Sequence, residues 1–152
     1  LDIFINVAAH ISRKGSLEVI GKPLKKIKEL TNINPVINPE KNQILGSVIY
    51  IDNYGNLVSN IKKELFYEIG KSRVFTIYAR SVKFKKIYKS YSEAIDFSLP
   101  KGKREEDGKK LAIFNASDHL ELAVYKSNPL TIGGAGSLFG LDYRDPITVK
   151  FD

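Results

Sequence analysis

The stretch IDNYGNLVSN, residues 51–60, sets Asp52, Asn53, Asn56, Ser59 and Asn60 between two apolar runs, with Tyr54 and Gly55 at its centre. Asp, Asn and Gly tolerate positive φ and cap their own backbone, so the stretch reads as a hairpin turn. A two-residue turn needs only one such pair, and here the polar set runs well past the bend. An asparagine amide carries donors and an acceptor together, the combination needed to read the edge of an adenine-like ring. Tyr54 beside it offers a face on which such a ring stacks. Turn and ligand site both stand as readings at this level.

The elements that must hold these groups follow from the hydrophobic pattern. Residues 2–13, DIFINVAAHISR, place Ile3, Phe4, Val7, Ala8 and Ile11 on one helical face behind Asp2 as a candidate N-cap. Gly15, Gly21 and Pro23 end that pattern, and KPLKKIKELTNINPVINPEKNQ has no sustained period and reads as a linker. From Ile44 the chain turns to short β-rich runs separated by turn residues: ILGSVIYI, NLVSNI, RVFTIYA, VKFKKIY, KLAIF, HLELAVY and ITVKF. KKELFYEIG fits a single helix between strands, PLTIGGAGSLFGL a glycine-rich turn with at most a short helix, and PKGKREEDGKK an exposed charged loop. The division is a helical region over residues 1–22, a linker over 23–43 and a small all-β domain over 44–152, an antiparallel β-barrel or a sandwich, making the chain mainly β. An amphipathic helix followed by a linker has nothing evident to cover its apolar face. That points to the rest of the helix's own domain preceding it.

Composition narrows the function classes. A chain of 152 residues, 43% hydrophobic and 27% charged, buries one good core. Its apolar runs are too short to cross a bilayer, and no charged-then-apolar leader opens it, so neither membrane nor secretion is expected. With no cysteine it has no disulfide framework, with only two histidines besides no protein-built zinc site is expected, and a reducing cytoplasm fits. The net charge of +7 raises a rival reading, a stand-alone basic β-barrel module for nucleic acid, with Tyr and Lys interleaved in KFKKIYKSY. Against it, the basic residues are flanked by acids or spaced at strand period, as on a solvated face. A salt titration with oligonucleotides separates the two, because phosphate-driven binding falls steeply with salt. A purely structural or interaction domain is a third reading.

Four stretches in order carry a family resemblance. YIDNYGNLVSNI resembles the aspartate, aromatic-Gly-Asn, Thr/Ser-Asn signature that opens the C-terminal domain of the S-adenosyl-L-methionine hydrolases, relatives of the fluorinase and chlorinase. DIFINVAAHIS is similar to that family's D-x-F-A-x-x-A-A-H-L helix, IFNASDHLELAV to its I-x-N-S-x-G-Y-L-E-I-A segment, and GSLFGLDYRDPITVKF to its closing L-L-G-L-x-x-G-D-x-V-x-V segment. The resemblance spans nearly the whole chain.

What the resemblance implies is an enzyme that hydrolyses S-adenosyl-L-methionine to adenosine and methionine, with the compound as substrate, no separate cofactor and no metal. In that family Asp52 would face the amino-acid portion, Asn56 would hydrogen-bond the adenine, and Tyr54 would take the place of the family's aromatic. Tyr91, in SYSEAI, matches the T-F/Y-A-D segment and would stack on the purine. Asn115, Ala116 and Ser117 match the carboxylate-holding turn, although Ala116 lacks the usual hydroxyl and Asp118-His119 replaces Gly-Tyr. Val124, Tyr125 and Lys126 align with a stretch whose backbone touches the adenine. The Asp, Arg and His set that activates the attacking water belongs to the family's N-terminal α/β domain. The T-F-H-G-R run that precedes the helix is absent and Leu1 stands where an arginine is usual, so no catalytic residue is expected here and the fragment alone is expected to be inactive. His10, at the A-A-H position, is expected to be structural. The complete protein is expected to be a homotrimer with its site at a subunit interface.

Overall fold

A computed structural model describes residues 2–27, 32–104 and 106–152. Leu1, residues 28–31 of the expected linker and Glu105 of the charged loop lie outside the described residues. The chain divides into two compact units, residues 1–32 and 33–152.

In the first unit, α1 (Asp2–Ser12) follows the period of its apolar residues, yet none of its residues is buried. Ile3 and Phe4 are 77% and 82% exposed. Asp2 sits in the first turn of the helix. The Nε2 of His10 lies 2.9 Å from the carbonyl of Ser16, and its ring covers Gly15 so closely that a Cβ there would fall 2.2 Å from it. That contact closes the turn after the helix, a structural use of His10. A 3-10 turn over Leu17–Val19 follows, its N-terminus capped by Ser16.

The second unit is a nearly closed antiparallel β-barrel. Its strands are β1 (Val36–Ile37), β2 (Gln43–Ile51), β3 (Leu57–Lys62), β4 (Phe75–Ala79), β5 (Val82–Phe84), β6 (Lys110–Phe114), β7 (His119–Val124) and β8 (Pro146–Phe151). They run in the spatial order β5-β4-β8-β2-β3-β7-β6, with the short β1 on β2. The unit starts at residue 33, because β1 pairs Val36 with Leu45 and Ile37 with Ile44 and so draws part of the proline-punctuated stretch into the sheet. Tyr88, just past β5, bridges to Ile113 of β6 and brings the two ends of the sheet together.

Side-chain alternation along each strand decides the core. Ile44 and Val48 of β2, Leu120, Leu122 and Val124 of β7, and Ile147, Val149 and Phe151 of β8 point inward. The helix α2 (Lys63–Gly70) adds Phe66, whose ring meets those of Phe75, Phe114 and Phe151 edge-on at centroid distances of 5.0, 5.5 and 5.2 Å. The opposite faces of β6 and β7 are also covered. Leu111, Ile113 and Ala123 form a second small core with Tyr88, Tyr91, Ala94 and Tyr125, so the chain between β5 and β6 lies over the outside of the barrel wall.

The glycine-rich run before β8 makes a short helix, α3 (Ala135–Phe139), and holds the β2–β3 turn. The amide of Gly136 donates to the carbonyl of Gly55 at 2.9 Å. Gly55 has φ +77°, and a Cβ on Gly134 would lie 2.5 Å from the Gly55 Cα and 2.7 Å from the Tyr54 carbonyl. Two backbones touch here where no side chain fits. Among the described residues no helix is long and apolar enough to cross a membrane. The glycine contact generates a prediction: Gly134→Ala pushes the turn off its seat and lowers stability by about 1–3 kcal/mol in urea unfolding. Gly102→Ala, where a Cβ meets nothing within 4 Å, serves as the control that stays near wild type.

Candidate functional site

The β2–β3 turn is built by Asp52. Its Oδ1 accepts the backbone N–H groups of Tyr54 at 2.9 Å and Asn56 at 2.8 Å, while its carbonyl accepts Gly55 N–H at 2.9 Å. So the hairpin reading of IDNYGN is correct as far as it goes, and one oxygen of Asp52 is occupied by the turn. The other, Oδ2, accepts from Asn56 Nδ2 at 3.0 Å.

Asn56 is buried, and from it a chain of side chains runs across the outer face of the wall. Its Nδ2 also donates to the Tyr91 hydroxyl at 3.0 Å. The Tyr91 hydroxyl donates in turn to Oε1 of Glu121, and Asn115 Nδ2 donates to Oε2 of Glu121 at 3.2 Å. Asn115 Oδ1 then accepts the backbone N–H groups of Ser117 at 3.0 Å and His119 at 3.1 Å. The elements explain the convergence. Glu121 lies between Leu120 and Leu122 on β7, so alternation sends it to the outer face, opposite Val58 of β3 and Ile113 of β6. Tyr91 caps the 3-10 turn over Ser92–Ala94 and packs with the outer core. Burial, the hydrogen bond to Glu121 and the negative charge of Glu121 push the Tyr91 phenol well above its ordinary value, which keeps its proton on.

The structure thus joins Asp52, Asn56 and Tyr91 through direct hydrogen bonds and links Asn115 and Ser117 to them through Glu121. Tyr54 stands 70% exposed at the tip of the turn. Ala116 and Ser117 are exposed in the β6–β7 turn, where Ser117 borders a cleft of about 450 Å³ with Lys62, Lys63, Glu64, Tyr67 and Asp118. The side chain of Lys126 is committed to Glu106, Nζ to Oε1 at 2.6 Å, an ion pair that raises the lysine and lowers the carboxyl from their ordinary values. Ser59 and Asn60 do not extend the polar set outward. Ser59 Oγ donates to the Leu120 carbonyl, and Asn60 accepts Ser47 N–H at 2.8 Å and donates to the Ile33 carbonyl at 2.6 Å. They satisfy backbone groups where the register of β3 is irregular.

Glu121 is the member that sequence reasoning passed over. The signal was one acid inside the apolar run HLELAV, a position where a charge is costly unless donors meet it. With both amide hydrogens of Asn56 committed, what remains is Oδ1, which accepts no hydrogen bond among the described residues. No fully buried side-chain polar atom there lacks a partner, so this oxygen reaches the surface. The arrangement therefore ties the donor side of the Asn56 amide to Asp52 and Tyr91 and leaves its oxygen uncommitted among the described residues.

A family model described as the SAM hydroxide adenosyltransferase C-terminal domain matches residues 46–148, more than half of the chain. Among solved structures, the fold is similar to that of an uncharacterized conserved protein from Thermotoga maritima, with a TM-score of 0.61 and 23% identity, over 95% of this chain and 49% of that one. It is also similar to a conserved hypothetical protein from Thermus thermophilus, with a TM-score of 0.50 and 17% identity, over 99% of this chain and 51% of that one. The chain spans about half the length of these structural relatives, and at such identities the likeness is one of fold. No curated protein matches the chain.

The raised Tyr91 phenol sets a pH dependence. A folded-state value above the unfolded one gives stability that is full below about pH 10 and is lost as pH rises beyond it. Wild type is expected to lose stability more steeply above pH 10 than Tyr91→Phe, by the release of one proton on unfolding, when urea unfolding of both is followed across the alkaline range.

Proposed function

The chain belongs to the SAM hydroxide adenosyltransferase C-terminal domain family, and from that premise we propose that it forms the adenine-reading side of an enzyme hydrolysing S-adenosyl-L-methionine to adenosine and methionine. In that reaction a water or hydroxide oxygen bonds to the ribose C5′, the C5′–S bond breaks, and its electron pair leaves on the neutral thioether of methionine. For water, one proton is released. A sulfonium is already an excellent leaving group, so the protein's main task is to align the nucleophile opposite the C–S bond.

The observation that carries the proposal is the buried amide of Asn56, tied on its donor side to Asp52 and Tyr91 with its oxygen left at the surface. That oxygen suits the exocyclic amine of adenine. Tyr54 supplies a stacking face, and Tyr91 contributes the part of its ring that the outer core leaves uncovered. Asp52 would add the substrate's ammonium to the N–H groups it already accepts. Ser117, whose backbone N–H is held by Asn115, keeps its hydroxyl for the substrate carboxylate, and exposed Ala116 contributes backbone alone. Lys126 would act through its backbone, since its side chain is paired. We assign no catalytic residue to this chain.

Two measurements test the reading. In Asn56→Ala the polar edge of the purine loses its partner at a cost of about 1–3 kcal/mol. Adenosine affinity by calorimetry is expected to fall roughly five- to a hundredfold, and an unchanged affinity would return the stretch to a plain turn. The second concerns assembly. We propose a homotrimer whose pockets are shared between neighbouring subunits, a heterologous contact that closes into a ring. Light scattering on the enzyme is expected to give a trimer, and a monomer would exclude the shared pocket.

A further inference from the structure

Resting on the purine reading of Asn56, we infer that Glu121 is a positioning residue that fixes which end of the Asn56 amide faces the ligand, and so makes the site select a 6-aminopurine over a 6-oxopurine. Glu121 touches no substrate in this proposal. It acts through Tyr91.

The argument is one of hydrogen-bond polarity. A carboxylate accepts and does not donate. Glu121 is buried and two donors converge on it, the Tyr91 hydroxyl at Oε1 and Asn115 Nδ2 at Oε2. Tyr91 has a single proton, and Glu121 takes it, so toward Asn56 the phenol oxygen has only lone pairs to offer. The far side is set in the same sense, because Asp52 Oδ2 also accepts. Asn56 therefore meets acceptors on both sides and must turn Nδ2 inward, 3.0 Å from each. Oδ1 is left facing out. A ligand group that donates is bound there, while a carbonyl would meet oxygen against oxygen. The amide of an isolated asparagine turns over freely and carries no such preference. The preference comes from an acid on the neighbouring strand β7.

Asn115 makes a carboxylate necessary at position 121. Its Oδ1 is fixed by the N–H groups of Ser117 and His119, so its Nδ2 must donate to Glu121. In Glu121→Gln the single amide oxygen is claimed by Asn115, and the new amide group donates to the Tyr91 oxygen. The Tyr91 proton is then directed at Asn56 and calls for Oδ1 inward, while Asp52 Oδ2 still calls for Nδ2. The two sides now ask for opposite ends of the amide, and the ligand preference is lost.

The test measures adenosine and inosine affinities by calorimetry for wild type, Glu121→Gln and Tyr91→Phe, with side-chain amide hydrogen exchange of Asn56 by nitrogen-15 NMR as a readout that needs no ligand. Wild type is expected to prefer adenosine by about tenfold, the worth of one well-made hydrogen bond. In Glu121→Gln the ratio falls toward one and the Asn56 amide loses exchange protection. Tyr91→Phe, which removes the link and leaves Asp52 as the one remaining acceptor for the Asn56 amide, lowers the ratio in part and carries the test if Glu121→Gln does not fold. An unchanged ratio and unchanged protection in a folded variant overturn the proposal while leaving the purine reading intact. A wild-type chain that binds neither nucleoside sinks both.

Discussion

A carboxylate removed from water must be met by hydrogen-bond donors, and Glu121 on the outer face of β7 places that demand on several parts of the chain at once. The turn after β6 answers with Asn115, and the segment between β5 and β6 answers with Tyr91. Once Tyr91 is in place, Asn56 has a partner on the outer face of the wall and the β2–β3 turn has a reason to sit where it does. The acid organises the outside of the barrel as the apolar residues organise the inside. Its burial is tolerated because both oxygens are paired, and removing either donor would expose the cost.

The same strands serve two faces with different chemistry. Inward, β7 contributes Leu120, Leu122 and Val124 to the main core. Outward, the alternate positions Glu121 and Ala123 give one charged anchor and one small surface on which Tyr91 and Tyr125 pack. The wall thus supports a polar network without admitting it to the core, and the β2–β3 turn is held from the other side by the glycine-to-glycine contact with the start of α3. Rigidity at the turn comes from backbone fitted to backbone, while polarity at the turn comes from side chains that start on β7.

Much of this was legible in the residues themselves. Runs such as ILGSVIYI and ITVKF gave their strands to within a residue, and KKELFYEIG its helix, because one-sided burial writes itself into the order of apolar and polar residues. VKFKKIY was less legible: only Val82–Phe84 is strand, and the rest leaves the sheet apart from the single bridge at Tyr88. Asp52 was readable as a turn former, since an Asx turn is local. Glu121 was not, because the donors that justify it lie 6 and 30 positions away. Ser59 and Asn60 misled for the opposite reason: they look like ligand groups by type, and only the irregular register of β3 shows that the backbone itself uses them. Residues 33–42 read as linker because a two-residue strand carries no periodicity.

Among the described residues the barrel closes with a single bridge, Tyr88 to Ile113, where its other neighbours share ladders. Such a seam is the place where a local opening breaks the fewest hydrogen bonds, and local openings are the cheapest fluctuations a native protein has. The segment that would swing away there is the one that brings Tyr91. Its departure would strip Glu121 and Asn56 of their shared partner and uncover Leu111, Ile113 and Ala123, while the inner core would lose the cover of Ile87. Retention of the fold and readiness of the polar network thus rest on different contacts.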